Sequence, residues 1–128
     1  MGGRSIWWQA TVLAAAVSMG VIAFLPRVVA QEKTVDFTVV NVEFEGTKMF
    51  VPATLVVHKG DTVKIKILNN VKSEPPNHGF AISDFKVEAV VNRGEEKTVE
   101  FTADKAGIFS IKCHLHPAHV HGQLVVQE

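Results

Sequence analysis

The chain has 128 residues, 47% of them hydrophobic and 20% charged, and its 13 Lys and Arg are balanced by 13 Asp and Glu for a formal net charge of zero. That length holds one domain around one core, and without a basic stripe to neutralise phosphates the sequence excludes nucleic acid as a partner. A single cysteine, Cys113, excludes an internal disulfide, so in an oxidising compartment its thiol is reactive, paired between chains or occupied by a metal.

The chain opens with Arg4 and an uncharged, largely apolar run from Ile6 to Leu25, followed by the small residues Val28-Val29-Ala30 ahead of Gln31. This pattern predicts a secretory signal peptide. The run is also long enough to span a bilayer, with Trp7 and Trp8 placed as interfacial anchors, so an uncleaved N-terminal membrane-anchor helix is the second reading. Both imply export, to a periplasmic or other extracytoplasmic space, with a membrane tether if the segment stays. The chain divides accordingly into a leader, residues 1–30, and a domain, residues 31–128. Arg4 and Arg27 are the only charges in the leader, which leaves the domain slightly acidic.

Strand signals fill the domain. Val35, Phe37 and Val39 alternate, and Val40, Val42 and Phe44 continue in the opposite phase, which predicts a bulge or a change of facing side near Val39. Leu55 and Val57 lead to a turn at Lys59-Gly60-Asp61. The clearest alternation is Val63, Ile65 and Ile67, with Lys64 and Lys66 on the wet face. A polar loop with Pro75 and Pro76 precedes Phe80 and Ile82, and Asp84 to Val91 is read as room for a short helical turn. Val99 and Phe101 follow the turn at Arg93-Gly94. Phe109, Ile111 and Cys113 then share one face, and Leu124 and Val126 follow Gly122. About seven short strands separated by turns predict an all-β Greek-key sandwich.

The chemistry is concentrated in Cys113-His114-Leu115-His116-Pro117-Ala118-His119-Val120-His121-Gly122, which holds the cysteine and four of the six histidines. Thiolate and imidazole bind copper and zinc well, and the spacing Cys113-x2-His116-x4-His121 suits a loop that clamps one ion. A lone cysteine is more often an inert small hydrophobe and a lone histidine a solvated one, but those readings would have to hold at three positions together. The period of two turns Cys113 into the apolar end of the sandwich, where a bare thiolate is costly to bury. It turns His114 outward. His119 is an alternative donor at shorter spacing. His78, at the start of the Phe80 strand, is placed to reach the same end and supply a further ligand, whereas His58 belongs to a solvated turn.

Taken together, the short strands, one histidine after a central loop and the C-terminal cysteine loop resemble the cupredoxins, small copper proteins of electron transfer. Many blue members carry Cys-x2-His-x4-Met where this chain has Cys113-x2-His116-x4-His121. From about Pro52 onward the sequence more narrowly resembles nitrosocyanin, the red copper protein of ammonia-oxidising bacteria, in Thr54-Leu55-Val56-Val57, Lys59-Gly60-Asp61, Gly79-Phe80, Phe101-Thr102-Ala103-Asp104-Lys105-Ala106-Gly107 and Cys113-x-Leu115-His116-Pro117. There the ligands are one cysteine, two histidines and a glutamate. Cys113, His116 and His121 match the first three, while His78 stands in place of the glutamate, as in blue sites. The resemblance implies a copper ion held by His78, Cys113, His116 and His121, and because related proteins form trimers it leaves room for a homo-oligomer.

These observations lead to an exported mononuclear copper protein that transfers single electrons and docks transiently with redox partner proteins. Two alternatives stand beside it: a nitrosocyanin-like redox or nitric-oxide-binding enzyme, and a copper delivery or storage protein. Zinc is the alternative metal, since one thiolate and three imidazoles also suit a tetrahedral ion. A binuclear copper centre needs a second cysteine. An axial methionine would have to be Met49, far from the loop in sequence.

Overall fold

The structure, a computed structural model, describes residues 33–128; the leader and its signal or anchor reading lie outside the described residues. Nine strands form in order: β1 (Thr34–Phe44), β2 (Thr47–Val51), β3 (Thr54–His58), β4 (Thr62–Asn69), β5 (Asn77–Ile82), β6 (Val87–Asn92), β7 (Glu96–Thr102), β8 (Gly107–Ile111) and β9 (Gly122–Gln127). One sheet runs β2-β1-β4-β7, a second runs β3-β9-β8, and β5 pairs with β6. An isolated bridge between Ala81 and Lys112 ties β5 to the chain just past β8. The chain is thus the all-β sandwich that its alternation predicts.

Alternation explains the layers. In β4 the side chains of Val63, Ile65 and Ile67 are buried while Lys64 and Lys66 are exposed, and Leu55 and Val57 in β3 meet Leu124 and Val126 in β9 in parallel register. These inner faces enclose a core with Phe50, Phe80, Ile82 and Ile111. Full burial of such a side chain contributes about 1.5–3 kcal/mol.

Three local features differ from the expectation. There is no bulge at Val39: β1 keeps an unbroken parallel register with β4 from Thr34 opposite Thr62 to Asn41 opposite Asn69. The inward phase continues through Val39 to Asn41, a polar residue that is nevertheless buried. The helical turn after Ile82 is confined to a 3-10 turn at Ser83–Phe85, and the residues beyond it form β6. Finally, Met49 lies in β2, where its backbone pairs with that of Val120 in the cysteine loop.

The loop between β4 and β5, which delivers His78, is held by two polar side chains. Asn69 Nδ2 donates to the carbonyls of Pro76 (3.0 Å) and Val91 (2.8 Å), and Asn69 Oδ1 accepts from the Val71 N–H at 3.1 Å. Arg93 Nε donates to the Val71 carbonyl at 3.0 Å, and its Nη2 to the Ser73 carbonyl at 2.8 Å. Because a buried group stripped of its partner costs about 1–3 kcal/mol, Asn69→Ala is expected to lower unfolding stability by at least about 2 kcal/mol. For a domain of this size that is a fall in Tm on the order of 10 °C, read by thermal unfolding of the metal-free protein. A Tm within a degree or two of wild type would show that this clamp does not hold the loop.

Candidate metal centre

Three elements meet at one end of the sandwich. His78 is the second residue of β5 and faces inward, opposite Val91 of β6. Cys113 lies two residues past β8 and is 5% exposed. His116 follows where the chain bends away. The donor atoms of His78, Cys113 and His116 all lie within 4.8 Å of one another, with the His78 and His116 rings 4.7 Å apart between centroids. Cys113 Sγ accepts a hydrogen bond from the Gly79 backbone N–H at 3.1 Å and lies 3.4 Å from His116 Nδ1.

The orphaned atoms are informative. His78 is 1% exposed, and neither of its ring nitrogens makes a well-formed hydrogen bond, although the Pro75 carbonyl lies close enough to influence the ring. A buried polar atom without a partner is costly, and an ion placed among three convergent donors would engage one of the two. Softness agrees, since a thiolate with two imidazoles is the trigonal donor set of blue-copper electron-transfer sites. The residues therefore fit a copper ion, and they fit zinc on donor chemistry alone.

Burial, helped by the neighbouring His116, pushes the His78 pKa down from 6.5 to about 4. The neutral ring is the form that binds metal. The unfolded chain protonates this imidazole near pH 6.5 and the folded protein only near pH 4. The stability it contributes is therefore complete above about pH 6.5, falls through that window and changes no further below it. Metal-free protein is expected to unfold at lower urea concentration at pH 5 than at pH 7, with a smaller difference in His78→Gln. Equal midpoints at the two pH values would contradict this.

The remaining histidines separate. His121 is exposed and stands outside the trio, with its Nδ1 3.5 Å from Ser110 Oγ. His119 is 3% exposed, its ring 4.4 Å from that of Phe50 and 5.9 Å from that of His78. Its Nδ1 is 2.9 Å from the Val120 carbonyl and its Nε2 2.7 Å from the Asn41 amide. Burial lowers the His119 pKa, so the neutral ring donates from Nδ1 and accepts at Nε2. The Asn41 atom at that distance is placed as Oδ1, with Nδ2 buried and without a partner; an acceptor cannot face an acceptor, so the amide is assigned turned over, with Nδ2 donating to His119 Nε2. Both ring nitrogens are thus engaged within the protein. This bond also accounts for the buried Asn41 on the inner face of β1. His114, expected to face solvent, is half-buried, with Nε2 3.4 Å from Glu88 Oε1. Its ring packs on Gly79, where an added Cβ would come within 2.5 Å of Nδ1. His58 is exposed, as expected.

Sequence reasoning gave no role at the site to Gly79, Asn41 or Lys48. The Lys48 carbonyl accepts the Val120 N–H at 2.8 Å, and its ammonium is 3.9 Å from Glu43. Asn41 carried a signal, a polar residue at the inward step of an apolar alternation; Gly79 and Lys48 carried none.

A β-sandwich that brings one cysteine and two histidines together at one end defines a copper protein of the cupredoxin class. The chain belongs to the cupredoxin-like domain family, whose sequence pattern it matches over residues 10–126. Over 55 residues, 43% of this chain, it is 44% identical to the nitrous-oxide reductase of Cupriavidus necator, although the match covers only 9% of that protein. Among solved structures it is similar to the copper nitrite reductase of Nitrosomonas europaea, with 25% identity and a TM-score of 0.63 over 74% of this chain and 42% of that one. It is also similar to a copper-binding protein solved in the apo form, with 26% identity and a TM-score of 0.55 over 77% of this chain and 92% of the other.

Proposed function

We propose that the protein is an exported carrier of single electrons that holds one copper ion through His78, Cys113 and His116, with His121 as the fourth donor. The observation that carries this reading is the convergence of one buried sulfur and two imidazoles, from β5 and from the loop after β8, at one end of the sandwich. Copper bound there would supply a one-electron couple. The protein's part is to keep the donors in place as the charge changes: β5 fixes His78, the Ala81–Lys112 bridge fixes the approach to Cys113, and the Gly79 N–H restrains the sulfur. Hydrogen bonds to a ligating cysteine also tune the potential. For the fourth position, His121 is the freer candidate, because its contact with Ser110 is long and both nitrogens of His119 are occupied.

Exposed Leu115, Pro117, Ala118 and Val120 surround His116 with apolar surface. Such a patch suits brief docking of redox partner proteins. Export by a cleaved signal, or a tether through residues 1–30, places this face outside the cytoplasm. Among the described residues no helix is long and apolar enough to cross a membrane.

The test is electron self-exchange, followed by line broadening in mixtures of oxidised and reduced protein. A carrier with preorganised ligands exchanges fast and keeps the same ligand set in both states. Slow exchange with loss of a ligand on reduction would contradict the proposal. Catalytic consumption of nitric oxide would favour the nitrosocyanin-like enzyme, and rapid surrender of copper to a chelator would favour delivery or storage.

A further inference from the structure

The edge of β5 that faces the cysteine loop is paired at Ala81. There the Ala81 N–H donates to the Lys112 carbonyl at 2.8 Å and the Lys112 N–H to the Ala81 carbonyl at 3.0 Å. In an antiparallel ladder the next such pair lies two residues further along each strand, which sets Gly79 opposite His114. The Gly79 N–H goes instead to Cys113 Sγ at 3.1 Å, so the sulfur takes the donor that a continued ladder would give to a carbonyl. His114 closes that step from outside. A Cβ on Gly79 would lie 2.5 Å from the His114 Nδ1, 2.6 Å from its Cε1 and 3.0 Å from its backbone nitrogen. Gly79 is not among the residues with positive φ, so its lack of a side chain, and not its conformational freedom, is what lets the ring approach. Beyond it, the ring has its Nε2 3.4 Å from Oε1 of Glu88, a carboxylate 67% exposed. A contact that wet holds the ring only weakly, and the seat on Gly79 is what fixes it.

We propose that His114 is a positioning residue for the metal centre: its ring, seated on Gly79, keeps the Gly79 N–H dry and aimed at the Cys113 sulfur, and so helps to set the potential of the bound metal. The inference rests on the copper-carrier reading and deepens it. An N–H donor places the positive end of a dipole against the thiolate, which favours the less positive oxidation state of the metal that the thiolate binds. With the ring removed, water reaches the amide, the bond to sulfur weakens and the oxidised state gains. A tenfold gain for that state lowers a one-electron potential by about 59 mV.

The first readout needs no metal. Amide hydrogen exchange of the metal-free protein, followed by nuclear magnetic resonance, is expected to run about tenfold or more faster at Gly79 in His114→Ala than in wild type, while Ala81, whose N–H is bonded to Lys112, keeps its rate. His114→Phe retains a flat ring and gives up Glu88, and it should restore slow exchange at Gly79. The second readout is the potential of copper-loaded protein whose copper stoichiometry has first been recorded. His114→Ala should favour the oxidised state about tenfold, a fall of about 59 mV, and His114→Phe should return most of it. Exchange at Gly79 unchanged in His114→Ala overturns the inference. Equal acceleration at Gly79 and Ala81 also overturns it, because that reports a general loosening of the hairpin. A potential unmoved in His114→Ala protein that holds one copper does the same and leaves the carrier reading intact. A wild-type chain that takes up no copper removes the carrier reading and this inference together, before any variant is compared.

Discussion

Cys113→Ser is expected to lower copper affinity by more than about a hundredfold and to abolish the strong visible absorption of the loaded protein. The reasoning starts from the sulfur. It is the only thiol in the chain, it is buried, and it accepts the Gly79 N–H at 3.1 Å. Substituting a partner outside the ligand shell typically costs 10–100-fold in metal affinity, so loss of a ligand costs more. A hydroxyl preserves the shape and can still accept from Gly79, which keeps the fold, and unchanged circular dichroism will confirm that the effect belongs to the donor. A Cys113→Ser protein that binds copper as tightly as wild type and stays coloured would mean that the thiolate is not a ligand.

The second large effect is expected at position 121. A weak axial methionine leaves a blue site nearly trigonal, whereas a histidine donates more strongly to copper(II), draws the ion toward a tetragonal arrangement and stabilises the oxidised state. Wild type should therefore be green to red with a low potential, and His121→Met should move the spectrum toward blue. The potential should rise on the order of 100 mV, at 59 mV for each tenfold change in a one-electron couple. His119→Ala serves as the comparison. It removes the partner of buried Asn41 and is expected to cost about 1–3 kcal/mol of stability while leaving the spectrum nearly unchanged. If His119→Ala changes the colour and His121→Met does not, the loop closes on the metal at the shorter spacing.

Which features were legible in the sequence follows from what holds each in place. Strands with one wet and one buried face announced themselves: Val63, Ile65 and Ile67 alternate with lysines because β4 has one solvated side. β6 did not, since Val87-Glu88-Ala89-Val90-Val91 has no clean period and is held by pairing with β5. The meeting of His78 with Cys113 and His116 was legible from chemistry, because a lone thiol amid histidines needs a partner and the period of two points it inward. The roles of the other loop histidines were not. His119 and Asn41 are 78 residues apart, and their bond depends on how the second half of the loop lies along β2, through Val120 and Lys48. The expected bulge at Val39 failed for the same reason: Asn41 looks like a break in the apolar pattern, yet it occupies the inward position in order to meet His119.

The most direct test of the central claim is a titration of the metal-free protein with copper(II), followed by its optical and electron spin-resonance spectra together. The account predicts saturation at one copper per chain, with an intense thiolate-to-copper band in the visible and one copper(II) signal that both disappear on reduction by one electron. A protein that remains colourless, rejects copper and binds zinc stoichiometrically would contradict it.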